Sequence, residues 1–99
     1  MHSEIKKALE RINDSLKEVD RIKQSIKEFN ELKEDDEFLA PIENGIFVKA
    51  KLISKELKVN IGKGVVVTKT IKDTLKLLDK QKKEITKSKI KLEKQIKNV

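Results

Sequence analysis

The chain has 99 residues, of which 36% are hydrophobic and 41% charged, with no Cys, Trp or Tyr. That length allows at most one domain, and so small an apolar share gives a thin core, so the chain is either elongated or completes its core with other chains. The missing cysteines exclude a disulfide framework, a cysteine zinc site and a thiol nucleophile. No apolar run approaches the roughly 20 residues that span a bilayer. The first residues lack an apolar signal core, so a cytoplasmic location is expected.

The net charge of +7 has a location. Residues 1–34 carry eight Lys/Arg against eight Asp/Glu, residues 35–70 six against five, and residues 71–99 ten against four. The C-terminal segment therefore holds nearly all of the excess. Lysine supplies 22 of the 24 basic side chains, and abundant Lys and Glu without Cys fits a heat-adapted source.

Residues 3–34 show a heptad pattern. Ile5, Leu9, Ile12, Leu16 and Val19 are spaced 4-3-4-3, the seam of a coiled coil. Ile22 follows only three residues on, before Ile26, Phe29 and Leu32, which reads as a stammer that overwinds the coil. Ser3 is placed to cap the start, with Glu4 in the first turn, where the helix dipole favours an anion. Asp35-Asp36-Glu37 opposes the dipole at the other end and suits the exit from the helix.

The next stretch holds all three glycines and the only proline. Residues 38–42 predict a short strand, confined by Pro41 to an edge or a non-bonded position. Asn44-Gly45 suits a type I′ turn, in which both central residues need positive φ. Residues 46–52 alternate, with Ile46, Val48, Ala50 and Leu52 on one face and Phe47, Lys49 and Lys51 on the other. Ser54-Lys55-Glu56 is a polar break. Leu57, Val59 and Ile61 alternate with Lys58 and Asn60 as a third strand. Gly62-Lys63-Gly64 turns the chain, and the β-branched residues 65–68 return as a fourth.

Thr70 then caps a second helix, with Asp73 at the third helical position. Its seam runs Ile71, Leu75, Leu78, Lys82, Ile85, Lys89, Leu92, Ile96 and Val99 in unbroken 4-3 alternation. Lysines at seam positions weaken a coil while fixing its register and partner. The elements together predict an α+β chain. An antiparallel coiled-coil helical hairpin (residues 3–34 and 71–98) carries two β-hairpins (residues 38–69) at its closed end, in one domain spanning residues 1–99.

No catalytic constellation is visible, and an enzyme is the least expected class. His2 is the only histidine, and a solvated tail residue is a better reading than a lone metal ligand. Ser and Thr have no other His to activate them. Gly62-Lys63-Gly64 lacks the spacing and the Lys-Ser/Thr of a phosphate loop. The three adjacent acids Asp35, Asp36 and Glu37 fit a solvated helix exit better than a cation site. Neither a metal nor a cofactor is implied. Lys80, Lys83, Lys87, Lys91, Lys94 and Lys97 suggest phosphate tracking by a basic coiled-coil hairpin that binds RNA. No aromatic residue interleaves them and Arg is absent there, so a solvated face is the stronger reading and nucleic acid the weaker one. The sheet face lacks a partner layer within the chain, and its edges invite pairing. An oligomerisation module, in which several chains close a barrel, is the favoured reading. A client-free structural filament subunit is an alternative that the same edges permit.

Phe38-Leu39-Ala40-Pro41-Ile42, Asn44-Gly45-Ile46-Phe47-Val48-Lys49-Ala50-Lys51-Leu52 and Leu57-Lys58-Val59-Asn60-Ile61-Gly62-Lys63-Gly64-Val65-Val66-Val67-Thr68-Lys69-Thr70 together resemble the α-class, archaeal prefoldin subunit. The match covers the β-segment closely and the helices only in architecture. Two hairpins rather than one point to the α class over the β class. The resemblance implies an ATP-independent holdase chaperone without cofactors. Its hairpins would assemble into a β-barrel body, either with prefoldin β subunits in a hetero-hexamer or with copies of itself. The residues implied in assembly are Phe38, Leu39, Ile42, Ile46, Phe47, Val48 and Leu52 of the first hairpin. In the second they are Leu57, Val59, Ile61, Val65, Val66 and Val67. The helix tips, at Ile5, Ala8, Leu9, Leu92, Ile96 and Val99, would hold non-native polypeptide for transfer to a group II chaperonin. Two features depart from the family: the helices are short, and Val65 and Val66 stand where tyrosines are usual. The short helices fit a shortened chain or a divergent paralogue, one α-like paralogue of the family forms filaments, and the valines leave the choice of partner open.

Overall fold

The computed structural model describes residues 2–97, and the side chains of residues 3–96. The elements are α1 (His2–Phe29), β1 (Glu37–Glu43), β2 (Ile46–Lys51), β3 (Leu57–Gly62), β4 (Val65–Lys69) and α2 (Ile71–Lys97). Two compact units divide them. One takes α1 as far as Ser25 and α2 from Leu75 onward; the other is Ile26–Thr74.

In the helical unit Ile5, Leu9, Ile12, Leu16 and Val19 turn inward as the spacing predicts. The expected stammer at Ile22 is absent. Ile22 is exposed, and the next seam position is Lys23, four residues after Val19. The heptad therefore runs unbroken from Ile5 to Ile26. A lysine can hold this place because its aliphatic stem packs along the seam while the ammonium reaches a carboxylate. The Lys23 side chain is only 20% exposed, and its Nζ lies 2.5 Å from Asp79 Oδ1 of α2. A reciprocal pair joins Lys82 of the α2 seam to Asp20 of α1 at 2.8 Å. Three residues forward along α1 thus correspond to three residues back along α2, so the helices run antiparallel. Val19 and Leu78, both buried, stand beside these ion pairs. On α2 the seam from Leu75 to Ile96 is buried or half-buried throughout, Lys82 and Lys89 included.

Both ends of α1 differ from expectation. The helix already includes His2, so Ser3 lies inside the first turn rather than capping it. The other end falls at Phe29 and not at residue 34. The chain there tightens into three-residue turns: Glu31 N–H donates to the Glu28 carbonyl at 3.1 Å and Leu32 N–H to that of Phe29 at 3.0 Å. Such tightening satisfies carbonyls that the last helical turn leaves open. Lys55 Nζ donates to a further one, on Asn30, at 2.8 Å. Asp35 then takes a left-handed φ of 71°, and the Asp36 carboxylate accepts the Lys33 N–H at 2.8 Å. The acidic run thus forms the turn itself, and Glu37 opens β1.

The sheet unit holds two separate antiparallel pairs, β1–β2 and β3–β4. Both hairpins follow one plan. Asn44 and Gly45 have φ of 52° and 79°; Lys63 and Gly64 have 51° and 76°. Two left-handed residues in a two-residue loop match the right-handed twist of the flanking strands. Each first strand also carries one extra residue just before its turn. Ile42 falls between the pairs Pro41–Phe47 and Glu43–Ile46, and Ile61 between Asn60–Val66 and Gly62–Val65. These are β-bulges, which bend the strand and strengthen its twist. The first ladder runs on past its strands: Asp35 N–H donates to the Leu52 carbonyl at 2.8 Å, and Leu52 N–H to that of Asp36 at 3.0 Å. Thr70 caps α2 as predicted, its Oγ1 accepting the Asp73 N–H at 3.0 Å. Its carbonyl accepts the Thr74 hydroxyl at 2.8 Å, and Thr74 is buried.

Candidate functional site

Two surfaces gather the residues singled out from the sequence. The first is on the hairpins. The cross-strand pairs Phe38–Ala50 and Ala40–Val48 share one face of the first hairpin, and Leu39–Lys49 and Pro41–Phe47 the other. Phe38, Ala40 and Ala50 are half-buried, and Leu52 beyond them is 5% exposed. This face is already covered within the chain at its Leu52 end. Leu39, Ile42, Ile46, Phe47 and Val48 remain exposed. In the second hairpin Leu57, Val59 and Val67 are half-buried, while Ile61, Val65 and Val66 are exposed. Scattered exposed apolar residues are ordinary, but contiguous patches of them mark interaction sites. Here the exposed residues concentrate around both turns, on sheets of two strands whose outer edges have no partner within the sheets. A two-stranded sheet is marginal by itself.

Ile53 is a further member that the sequence reading passed over. It is 88% exposed, more than any other large apolar residue described. Its signal was present: it follows buried Leu52, so the strand alternation places it outward.

The second surface is the open end of the helical unit. Ile5, Ala8, Leu9, Leu92 and Ile96 are half-buried there; Val99 lies outside the described residues. Carried outward from the ion pairs, the register brings Leu9 near Leu92 and Ile5 near Ile96. None of the five is as enclosed as Val19 or Leu78.

The charged side chains offer little chemistry. The titration of Lys23 is displaced. The hydrogen bond it donates to Asp79, joined by the charges of Asp79 and Asp20, raises its pKa, and desolvation opposes that shift. Lys80, Lys83, Lys87, Lys91 and Lys94 are exposed, with Lys87 paired to Glu84 at 3.7 Å; the Lys97 side chain, like that of His2, is outside the described set. Among the described residues no cluster of His, Asp and Glu is arranged to hold a metal ion. No described helix is long and apolar enough to cross a membrane.

An antiparallel helical pair makes up one unit, and two hairpins with exposed apolar residues around their turns make up the other. The prefoldin subunit family matches residues 1–99, and the chain belongs to that family. It is thus, in general terms, a subunit of a chaperone family and not of an enzyme family. Among solved structures 13 chains match. One is a chain of filamentous PFD from Methanocaldococcus jannaschii, determined by cryo-EM. The two superpose with a TM-score of 0.86 at 16% identity, over 97% of this chain and 80% of that one. No curated protein matches.

Proposed function

We propose that the chain is an α-class prefoldin subunit acting in the cytoplasm as an ATP-independent holdase. The single observation that carries this reading is the pair of hairpins, each exposing apolar residues around its turn. A hairpin that leaves such residues in water gains stability when another chain covers them. Association through Phe38, Leu39, Ile42, Ile46, Phe47 and Val48 and their counterparts in β3–β4 builds the body of the assembly, with prefoldin β subunits as partners. Leu52 supports this surface from within its own chain. The tips at Ile5, Ala8, Leu9, Leu92 and Ile96, with Val99, hold exposed apolar segments of non-native polypeptides and pass them to a group II chaperonin.

A second reading, self-association into a filament, is favoured by the likeness in fold to a filamentous PFD chain and by the free strand edges. The two readings share the hairpin surface and differ in the partner.

The test measures ATP-free suppression of aggregation of a chemically unfolded client protein. The full chain is compared with a chain lacking residues 1–9 and 92–99, the mass of each being followed by light scattering. The shortened chain is expected to assemble as the full chain does and to lose suppression. Undiminished suppression overturns the assignment of clients to the tips.

A further inference from the structure

The helical pair is not uniform along its length, and two features change at one level. The first is charge. Asp20 stands against Lys82 and Asp79 against Lys23, so each seam lysine near the stem meets a carboxylate. One heptad outward the seam lysine is Lys89, and the same register sets Asn13 against it where an aspartate would be needed. Lys89 is half-buried, and no ion pair reaches it among the described residues. A seam lysine with its charge unmatched weakens a coil.

The second is backbone preference. Asn13-Asp14-Ser15 places three poor helix formers in succession in α1. At the matching level of α2, Thr86 Oγ1 donates to the Lys82 carbonyl at 2.8 Å and Ser88 Oγ to that of Glu84 at 3.4 Å. Hydroxyls bonded back in this way mildly destabilise and bend helices; two fall within three residues here, against one at the inner end of α1, Ser25 to the Arg21 carbonyl at 3.1 Å.

We infer that Asn13–Ser15 and Thr86–Lys89 form a built-in weak level, dividing the coiled coil into a locked stem and a tip that opens as one segment. Opening releases Ile5, Leu9 and Ile12 from Leu92 and Ile96. This inference rests on the tip reading only for what the opened segment binds; the division of the coil stands on the features above.

Hydrogen–deuterium exchange on the full-length chain in its native assembly tests it. Amides of residues 3–12 and 90–96 are expected to exchange at one common rate, about tenfold or more above residues 16–24 and 78–85, with a step at the weak level. Lys89→Leu and, separately, Asn13→Asp, which supplies the missing carboxylate, are each expected to slow the tip and leave the stem as it was. Lys91→Leu, at an exposed position, is expected to leave both unchanged. Rates that climb smoothly towards the helix ends, or a tip that ignores both substitutions, overturn the inference. Client assays separate the two proposals. If Lys89→Leu slows tip exchange while suppression stays intact, the weak level stands and the tip-binding reading falls.

Discussion

Phe47→Ala isolates association from folding. Phe47 lies opposite Pro41 on the face of the first hairpin that its own chain leaves open, and it is 53% exposed. A phenylalanine presents roughly 200 Å² of surface, so about 100 Å² is available to a partner. At about 25 cal/mol per Å² its coverage contributes ~2.5 kcal/mol at each contact, a factor of about 60 in the association constant. The chain's own fold loses little, because the ring is not part of its core. The assay is static light scattering across a dilution series, with circular dichroism as the check on folding. The variant is expected to keep its helix content and to dissociate at concentrations about 60-fold higher than the parent chain. A folded variant with an unchanged dissociation profile refutes the argument that this face is covered on assembly.

Leu52→Ala is expected to act in the opposite sense, on the fold before the assembly. It opens a cavity at a residue only 5% exposed and costs about 2–4 kcal/mol in urea unfolding. The Lys23 ion pair has a pH signature. Its pKa is raised above the usual lysine value of about 10.5, so its contribution is complete below that pH and is lost as pH climbs through the folded value. The stability difference between the chain and Lys23→Met, from thermal melts, should hold steady to about pH 10 and shrink above it. A difference that changes between pH ~7 and ~9 would remove Lys23 as its source.

How much was legible in the sequence varied with the kind of information each element carries. Asn44-Gly45 and Lys63-Gly64 announced their turns because few residues tolerate a left-handed backbone, and the strand alternation around them followed. The α2 seam is legible because its lysines fall on the 4-3 spacing. In α1 the apolar Ile22 competes with Lys23 for the same seam position. What justifies Lys23 is Asp79, a carboxylate remote in sequence that only the fold brings near. The end of α1 at Phe29 is hidden for a similar reason. Leu32 continues the apolar spacing, but it is half-buried beyond the helix in a turn that Asp35 and Asp36 close. The bulges at Ile42 and Ile61 left no trace in composition, since an isoleucine reads as strand whether or not it has a cross-strand partner. Leu52 and Ile53 share one chemistry and differ wholly in exposure. Which of the two adjacent residues faces water is set by where the ladder with Asp35 and Asp36 ends.

The way Ile26–Thr74 closes on itself bears on how quickly the helices can meet. Lys23 and Asp79 flank that whole stretch, and bringing the ends of so long a flexible loop together costs about 3 kcal/mol of chain entropy. The hairpins need no such search. Each ladder joins neighbours across a two-residue loop, a process that takes roughly 1–10 μs. The bonds from Asp35 to Leu52 and from Lys55 to Asn30 then fix the chain on either side of the first hairpin. Each of these contacts shortens the loop left to close between α1 and α2 and so lowers its entropic cost. A nucleus in the β-segment is the kinetic expectation, to be checked by φ-values at its two turns.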